Sequence, residues 1–280
     1  MRTKPAQSGF TLVELAIVLV IIGLIIGGVL VGQDLIKAAT IRSVVTDIEK
    51  INAGATTFRG KYNGLPGDLL NTRATEFGLN TAATDGNRDG TAGRGNGDNV
   101  IEGCASAGNG FGCENALFWA DLSRAAMIPG AFNTYTTTLA TVAVNTMGTY
   151  VPKTKLRDAA LLSVFNLSGR NYLALGRQNN AAIAAVGAAG AITYDADTTT
   201  AAVTPLEARG IDEKIDDGTP LTGTVLAIAT GTNPTTTNAG NAAPAANRCV
   251  NGTTATASYT STTDAFLNNL ACAISIRTSF

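Results

Sequence analysis

From Leu15 to Val31 the chain carries no charged or strongly polar side chain. With its flanks, a run of this length spans the hydrocarbon core of a bilayer, which takes about 20 residues. Ahead of it, Met1 to Ser8 hold two basic side chains, Arg2 and Lys4. A basic head before an apolar run has the shape of an export signal. The small residue that could mark cleavage, Gly9, precedes the run instead of following it. Cutting there would leave the apolar segment on the mature chain as its new N-terminus. Glu14 lies at the start of this segment, where a carboxylate costs roughly 2.5–3.5 kcal/mol on insertion scales. Two readings follow. Either Glu14 snorkels to water, or it pairs with the α-amino group that cleavage would free on Phe10 of a neighbouring copy.

Gly9-Phe10-Thr11-Leu12-Val13-Glu14, between a short basic leader and an apolar run, resembles the cleavage and methylation motif of type IV prepilins and of the pseudopilins of type II secretion. The resemblance covers residues 1–35. It implies cleavage between Gly9 and Phe10 by an inner-membrane prepilin peptidase, N-methylation of Phe10, and assembly with other pilin or pseudopilin subunits into a filament. It also implies residence in the bacterial inner membrane before assembly, then in a periplasmic pseudopilus or an extracellular pilus.

The formal net charge of the 280 residues is −1 and no Lys/Arg cluster appears, which argues against a nucleic-acid partner. Histidine is absent. Its absence removes the commonest general base and metal ligand and any Ser-His-Asp or Cys-His arrangement. No G-x-S-x-G motif is present either, so the sequence predicts no catalysis. The four cysteines, Cys104, Cys113, Cys249 and Cys272, form an even set, which in an exported chain favours disulfides over free thiols. Sequence proximity favours Cys104–Cys113 and Cys249–Cys272 among the three pairings. Zinc is disfavoured, since neither pair has C-x-x-C spacing.

The division expected is a cleaved leader over 1–9, a long helix over 10–60 and a pilin-like head over 61–280. The helix has a membrane and assembly half over 10–33 and an amphipathic half over 34–60. In the second half Leu35, Ile41, Val44, Val45, Ile48, Ile51 and Ala55 recur at spacings of three and four, the period of one helical face. A helix from Thr11 to about Arg59 would be about 75 Å long. Gly23, Gly27, Gly28 and Gly32 either allow close helix approach or weaken the helix. Many pilins have a proline here and this chain has none, which makes Gly27-Gly28 the place where melting during assembly is expected. Lys61-Tyr62 with Leu65-Pro66-Gly67-Asp68 resembles the segment after the long helix in many pilin-like proteins and reads as a linker.

Asp85, Asn87 and Asp89, followed by Gly90, match the first half of a calcium loop. The twelfth position is Asn96, so Asp98 or Glu102 would have to close the site; the alternative is a Gly/Asn/Asp turn cluster. Related pseudopilins carry calcium in their heads, so the resemblance adds weight to Ca2+. Leu117, Phe118, Leu122, Ala125 and Ala126 predict an amphipathic helix over 114–127, with Trp119 as a packing residue. Strands are expected over 161–167, 171–175, 222–230 and 271–276, with a helix opened by a capping box at Thr204-Pro205-Leu206-Glu207. Residues 235–257 read as loop. Ile211-Asp212-Glu213-Lys214-Ile215-Asp216-Asp217-Gly218 resembles a motif that recurs in one group of prepilin-like proteins. It reads as a helix end with a solvated acidic cluster, with a cation site as the alternative.

The expectation is an α+β protein: a long N-terminal helix, transmembrane in its first half, on a head with an antiparallel β-sheet. Its expected role is a structural subunit of a type IV pilus or pseudopilus. The alternative is a minor subunit acting as a tip adhesin or substrate-binding module.

Overall fold

The computed structural model describes residues 11–79, 88, 90, 95–102, 114–132, 147–157, 160–167, 169–177, 203–229, 249–251, 258–259 and 272–280. Helix α1 runs unbroken over Leu12–Tyr62. It starts at Thr11, whose hydroxyl accepts the Glu14 amide while the Glu14 carboxylate accepts the Thr11 amide, a reciprocal cap that occupies two otherwise orphaned donors. It ends at Tyr62, three residues beyond the expected Arg59, and is capped by Asn63, which adopts a left-handed conformation (φ 52°) and returns its N–H to the Arg59 carbonyl.

The two halves of α1 meet different surroundings. Over the first, apolar side chains point outward on every side: Leu12, Leu19, Leu24, Leu30 and Val31 are all exposed. Over the second, Val44, Val45, Ile48, Ile51, Ala55, Phe58 and Tyr62 are buried on one face against the head. At its far end Phe58 and Tyr62 contact each other with ring centroids 4.4 Å apart.

The head is built around a four-stranded antiparallel sheet. Its strands are β1 (Ala160–Leu167), β2 (Arg170–Arg177), β3 (Val225–Ala229) and β6 (Cys272–Arg277), in the order β1-β2-β6-β3. The hairpin β1–β2 turns tightly through Gly169, at φ 78°. β6 crosses from β2 to β3, pairing Leu173 with Ile276 on one side and Val225 with the same Ile276 on the other. Strand β6 is buried on both faces, with Ala273 and Ser275 as enclosed as Ile274 and Ile276. The expected strands are thus present with shifted ends: β2 is longer and β3 shorter than the pattern gave.

Among the described residues three further α-helices follow, of which the second and third pack on both α1 and the sheet. These are α2 (Asn71–Glu76), α3 (Glu114–Arg124) and α4 (Pro205–Ile215). α2 was not expected, and α3 stops three residues short of the expected end at Met127. α4 opens with the capping box predicted at Thr204 and Glu207 and lies against α1, β6 and the strand at Ser258–Tyr259. A Cβ at Gly210 would stand 2.9 Å from the Ile41 side chain of α1, so the missing side chain lets the two helices come close. The segment read as loop over 235–257 contains a short strand, β4 (Val250–Asn251), paired with β5 (Ser258–Tyr259).

Cys249 and Cys272 are disulfide-bonded and buried, and Cys272 also exchanges backbone hydrogen bonds with Val203. The bond thus ties β4 and the entry to α4 onto the start of β6. Cys104 and Cys113 lie outside the described residues. With its ends 23 positions apart in sequence, the Cys249–Cys272 bond should contribute about 3 kcal/mol in the chain-entropy account. The Cys249→Ala/Cys272→Ala double variant is therefore expected to unfold at lower urea than the parent full chain in detergent micelles, by about that free energy. A circular-dichroism titration of both proteins checks it.

Candidate functional site

The bare half of α1 is the first candidate. Its most apolar stretch has a mean hydropathy of 3.0 and none of it is covered by the head. A helix satisfies its own backbone, which is what allows a segment to lie in lipid or among equally apolar helices. Gly23, Gly27, Gly28 and Gly32 have open space where their side chains would be, and the helix runs straight through them without interruption. Gly9 and Phe10 lie outside the described residues. Glu14 is described: its Oε2 accepts from both the amide and the hydroxyl of Thr11, at 2.8 Å each. Sequence reasoning weighed Glu14 only as a membrane charge and missed this role, although Thr11-x-x-Glu14 is the same signature that was read at Thr204-x-x-Glu207. The cap folds the carboxylate back onto Thr11.

The second candidate is a set of carboxylates buried at the start of the head. Asp68, Glu114 and Asp121 are almost wholly enclosed. Asp121, on α3, accepts the Gly67 amide at 2.7 Å and pairs with Arg88 at 2.6 Å, both side chains fully shielded from solvent. Arg88 also donates to the Leu69 carbonyl. Glu114, about two turns earlier on α3, accepts the amides of Gly95, Asn96 and Glu102. Asp68 accepts those of Gly97 and Asn99. Loop 95–102 is therefore folded around two carboxylates, and Arg88 plugs the third. Backbone approach makes this feasible: a Cβ on Gly67 would come within 2.3 Å of the Glu114 carbonyl, and one on Gly95 within 2.5 Å of the Leu69 carbonyl. Both glycines have positive φ, where other residues are strained.

Burial dominates the titration of this set. It pushes Glu114 up to about 8 and Asp68 up to about 6, against the pull of the donated amides; Asp121 is raised as well, although Arg88 opposes this. Asp98, read with Glu102 as a residue that could close a calcium loop, accepts the Val100 amide and the Asn96 side-chain amide in a turn. Asp85, Asn87 and Asp89 lie outside the described residues. The segment through Asp68, read as a linker, supplies part of the head's polar core.

The third cluster is the acidic string after α4. Carboxylate oxygens of Asp212, Asp216 and Asp217 lie within 4.8 Å of one another. Each has a distinct partner. Asp212, buried, accepts from the Tyr259 hydroxyl at 2.8 Å and from the Gly218 amide, and burial raises it to about 6. Asp216 accepts the Thr224 and Val225 amides at the entry to β3. Asp217 accepts from Thr219 and Thr222, which holds its carboxyl below the usual range. The string is a corner in which three carboxylates fasten α4 to β3 and to β5; only part of it is the solvated cluster expected.

Residues 4–30 match the model of the prokaryotic N-terminal methylation motif, the type IV prepilin signature. The motif supports a pilin-like or pseudopilin-like reading of the chain and implies processing by prepilin peptidase and assembly with other pilin subunits. Together with the apolar helix it fits anchoring in a membrane. No curated protein matches the chain, and no solved structure does.

The buried set generates two expectations. Gly67→Ala should destabilise the full chain by more than about 2 kcal/mol, since it combines positive φ with a backbone clash. Gly60→Ala, on a helical position with open space around it, should be neutral or stabilising by up to about 1 kcal/mol. Urea unfolding of both in detergent micelles checks the contrast. For Glu114 the folded value, about 8, lies above the ordinary carboxylate range, so folding favours the protonated form. Its contribution to stability is fully present below about 4.5, the ordinary value, and falls away as pH rises through 8. In Glu114→Gln the part of that fall between pH 6 and 8 should disappear, as read from melting temperatures across the range.

Proposed function

We propose that this chain is a structural subunit of a type IV pilus or pseudopilus filament, cut between Gly9 and Phe10 by a prepilin peptidase and polymerised through α1. The observation that carries the reading is the pairing of the methylation motif over residues 4–30 with a helix whose first half is apolar all round and uncovered by its own head. Such a surface needs either lipid or other helices of the same kind. It suits a subunit that waits in the inner membrane and then moves into a bundle, periplasmic or extracellular, without exposing its apolar half to water.

In this reading Glu14 has two successive roles. In the lone subunit it caps α1 through Thr11. In the polymer its carboxylate meets the methylated ammonium of Phe10 on the next copy. Opposite charges in a medium of effective ε near 20 attract several-fold more than in water. Such a pair selects one register on an otherwise uniform apolar surface, even where its net stability is small.

Co-expression with a prepilin peptidase should give a mature chain starting at Phe10, and Gly9→Val should stay full length; a start beyond Ala38 on N-terminal sequencing would sink the reading. Glu14→Gln separates the two roles, because Gln also serves in a capping box but carries no charge. In cells whose only copy is substituted, Glu14→Ala and Glu14→Gln should both reach the membrane and both fail to yield sheared filaments. Filaments from Glu14→Gln at the parent level would reduce Glu14 to a cap.

A further inference from the structure

The way the first turn of α1 is closed bears on the peptide bond just ahead of it. The helix begins at Leu12, and the Leu15 amide donates to the Thr11 carbonyl at 3.3 Å. A helix running one residue further back would need the Glu14 amide on the Phe10 carbonyl. That amide donates to the Thr11 hydroxyl instead, at 3.3 Å. The Glu14 carboxylate in turn takes up the Thr11 amide, and Thr11 itself is extended, at φ −76° and ψ 152°. Two of the amides that would carry the helix upstream are thus occupied within the cap.

Counting back by four, the amide that an extended helix would place on the Gly9 carbonyl is that of Val13. Gly9–Phe10 is the bond to be cut, so negative charge develops on this carbonyl oxygen when water adds to its carbon. A hydrolase stabilises that charge with donors of its own, aimed at the oxygen. An oxygen already held by Val13 inside a helix is closed to them. The chain holds an alternative start, because Ser8 is itself a good N-cap residue. A helix begun there would take in Gly9, Phe10 and Thr11. Unbonded amides are costly in apolar surroundings, so α1 gains by extending unless something stops it. Gly9 resists as a poor helix former, and the Thr11 cap adds the stop.

We propose that Thr11 is a positioning residue for cleavage: by fixing the start of α1 at Leu12, its hydroxyl keeps the Gly9 carbonyl free for the prepilin peptidase. The proposal rests on the cleavage site of the function proposed above. The test uses the full chain in detergent micelles with purified prepilin peptidase, and reads initial rates of appearance of the chain that starts at Phe10. Thr11→Ala removes the cap and should lower kcat/KM about fivefold, the factor to which loss of an ordinary cap corresponds. The loss should fall on KM and spare kcat, because only chains with a free carbonyl bind productively. Thr11→Ser and Thr11→Asn, both strong N-caps, should be cut at close to the parent rate. Ser8→Ala in the Thr11→Ala chain removes the upstream start and should recover most of the loss. Thr11→Ala cut at the parent rate overturns the proposal, as does a loss that Ser8→Ala does not relieve. Thr11→Asn as slow as Thr11→Ala also overturns it, since the peptidase would then be reading the threonine side chain directly. A parent chain left uncut at Gly9–Phe10 sinks the proposed function along with it, whereas a cut parent with an equally cut Thr11→Ala sinks the cap alone.

Discussion

One helix has to satisfy two surroundings, and everything else in this protein is arranged to let it. α1 is continuous over Leu12–Tyr62, so its two halves cannot be adjusted independently. The first half is apolar on all sides, and no described part of the chain covers it. The second must be apolar on one side only, since the head binds there. The change falls near Asp34, where charges return to the sequence, and burial of one face, turn after turn, begins a few residues later with Ile41, Val44 and Val45. The head is in this sense an attachment to the far half of α1, locked on by Phe58, Tyr62 and the close passage of Gly210 over Ile41.

A head with few charged residues nevertheless encloses several. Among the described residues, Asp68, Glu114, Asp121, Arg88 and Asp212 are all buried. Each organises backbone that has no regular structure of its own: loop 95–102 gathers on Glu114 and Asp68, residues 67–69 on Asp121 and Arg88, and residues 218–225 on the string after α4. Long polar loops cannot bury their amides without acceptors, and carboxylates supply strong ones. Removing one member of the Arg88–Asp121 pair would leave an uncompensated buried charge, the costly case for buried ion pairs.

The parts of this architecture that were legible in the sequence are those coded by neighbours in the chain. The methylation motif is linear, the periodicity of Ile41 to Ala55 is local, and the capping box at Thr204 needs only four residues. The buried carboxylates were not legible, because their partners are far away: Gly67 donates to Asp121, 54 residues on. Glu114 and Asp121 sit on α3, whose polar residues read as a solvent-facing side; the helix is in fact enclosed all round over Glu114–Leu122. In the loop over 85–90 the alternation of oxygen-bearing residues drew notice to Asp85, Asn87 and Asp89. Arg88, between them, is the side chain found inside the head. Asp68 was hidden by Leu65-Pro66-Gly67, which reads as punctuation. Thr11 and Glu14 were legible and were overlooked, because the charge was weighed before the local hydrogen bonds.

The unbroken course of α1 also decides where mechanical load would travel. Its 51 residues make a rod of about 77 Å, with backbone hydrogen bonds aligned along its length. Subunits joined through the first half of such rods would pass tension from rod to rod. The head hangs on the side of its own rod and sits in parallel with that path, not in series. Stretching the polymer would therefore spare the sheet, the disulfide and the buried acids. The head would be free to vary in sequence and shape at little cost to tensile strength.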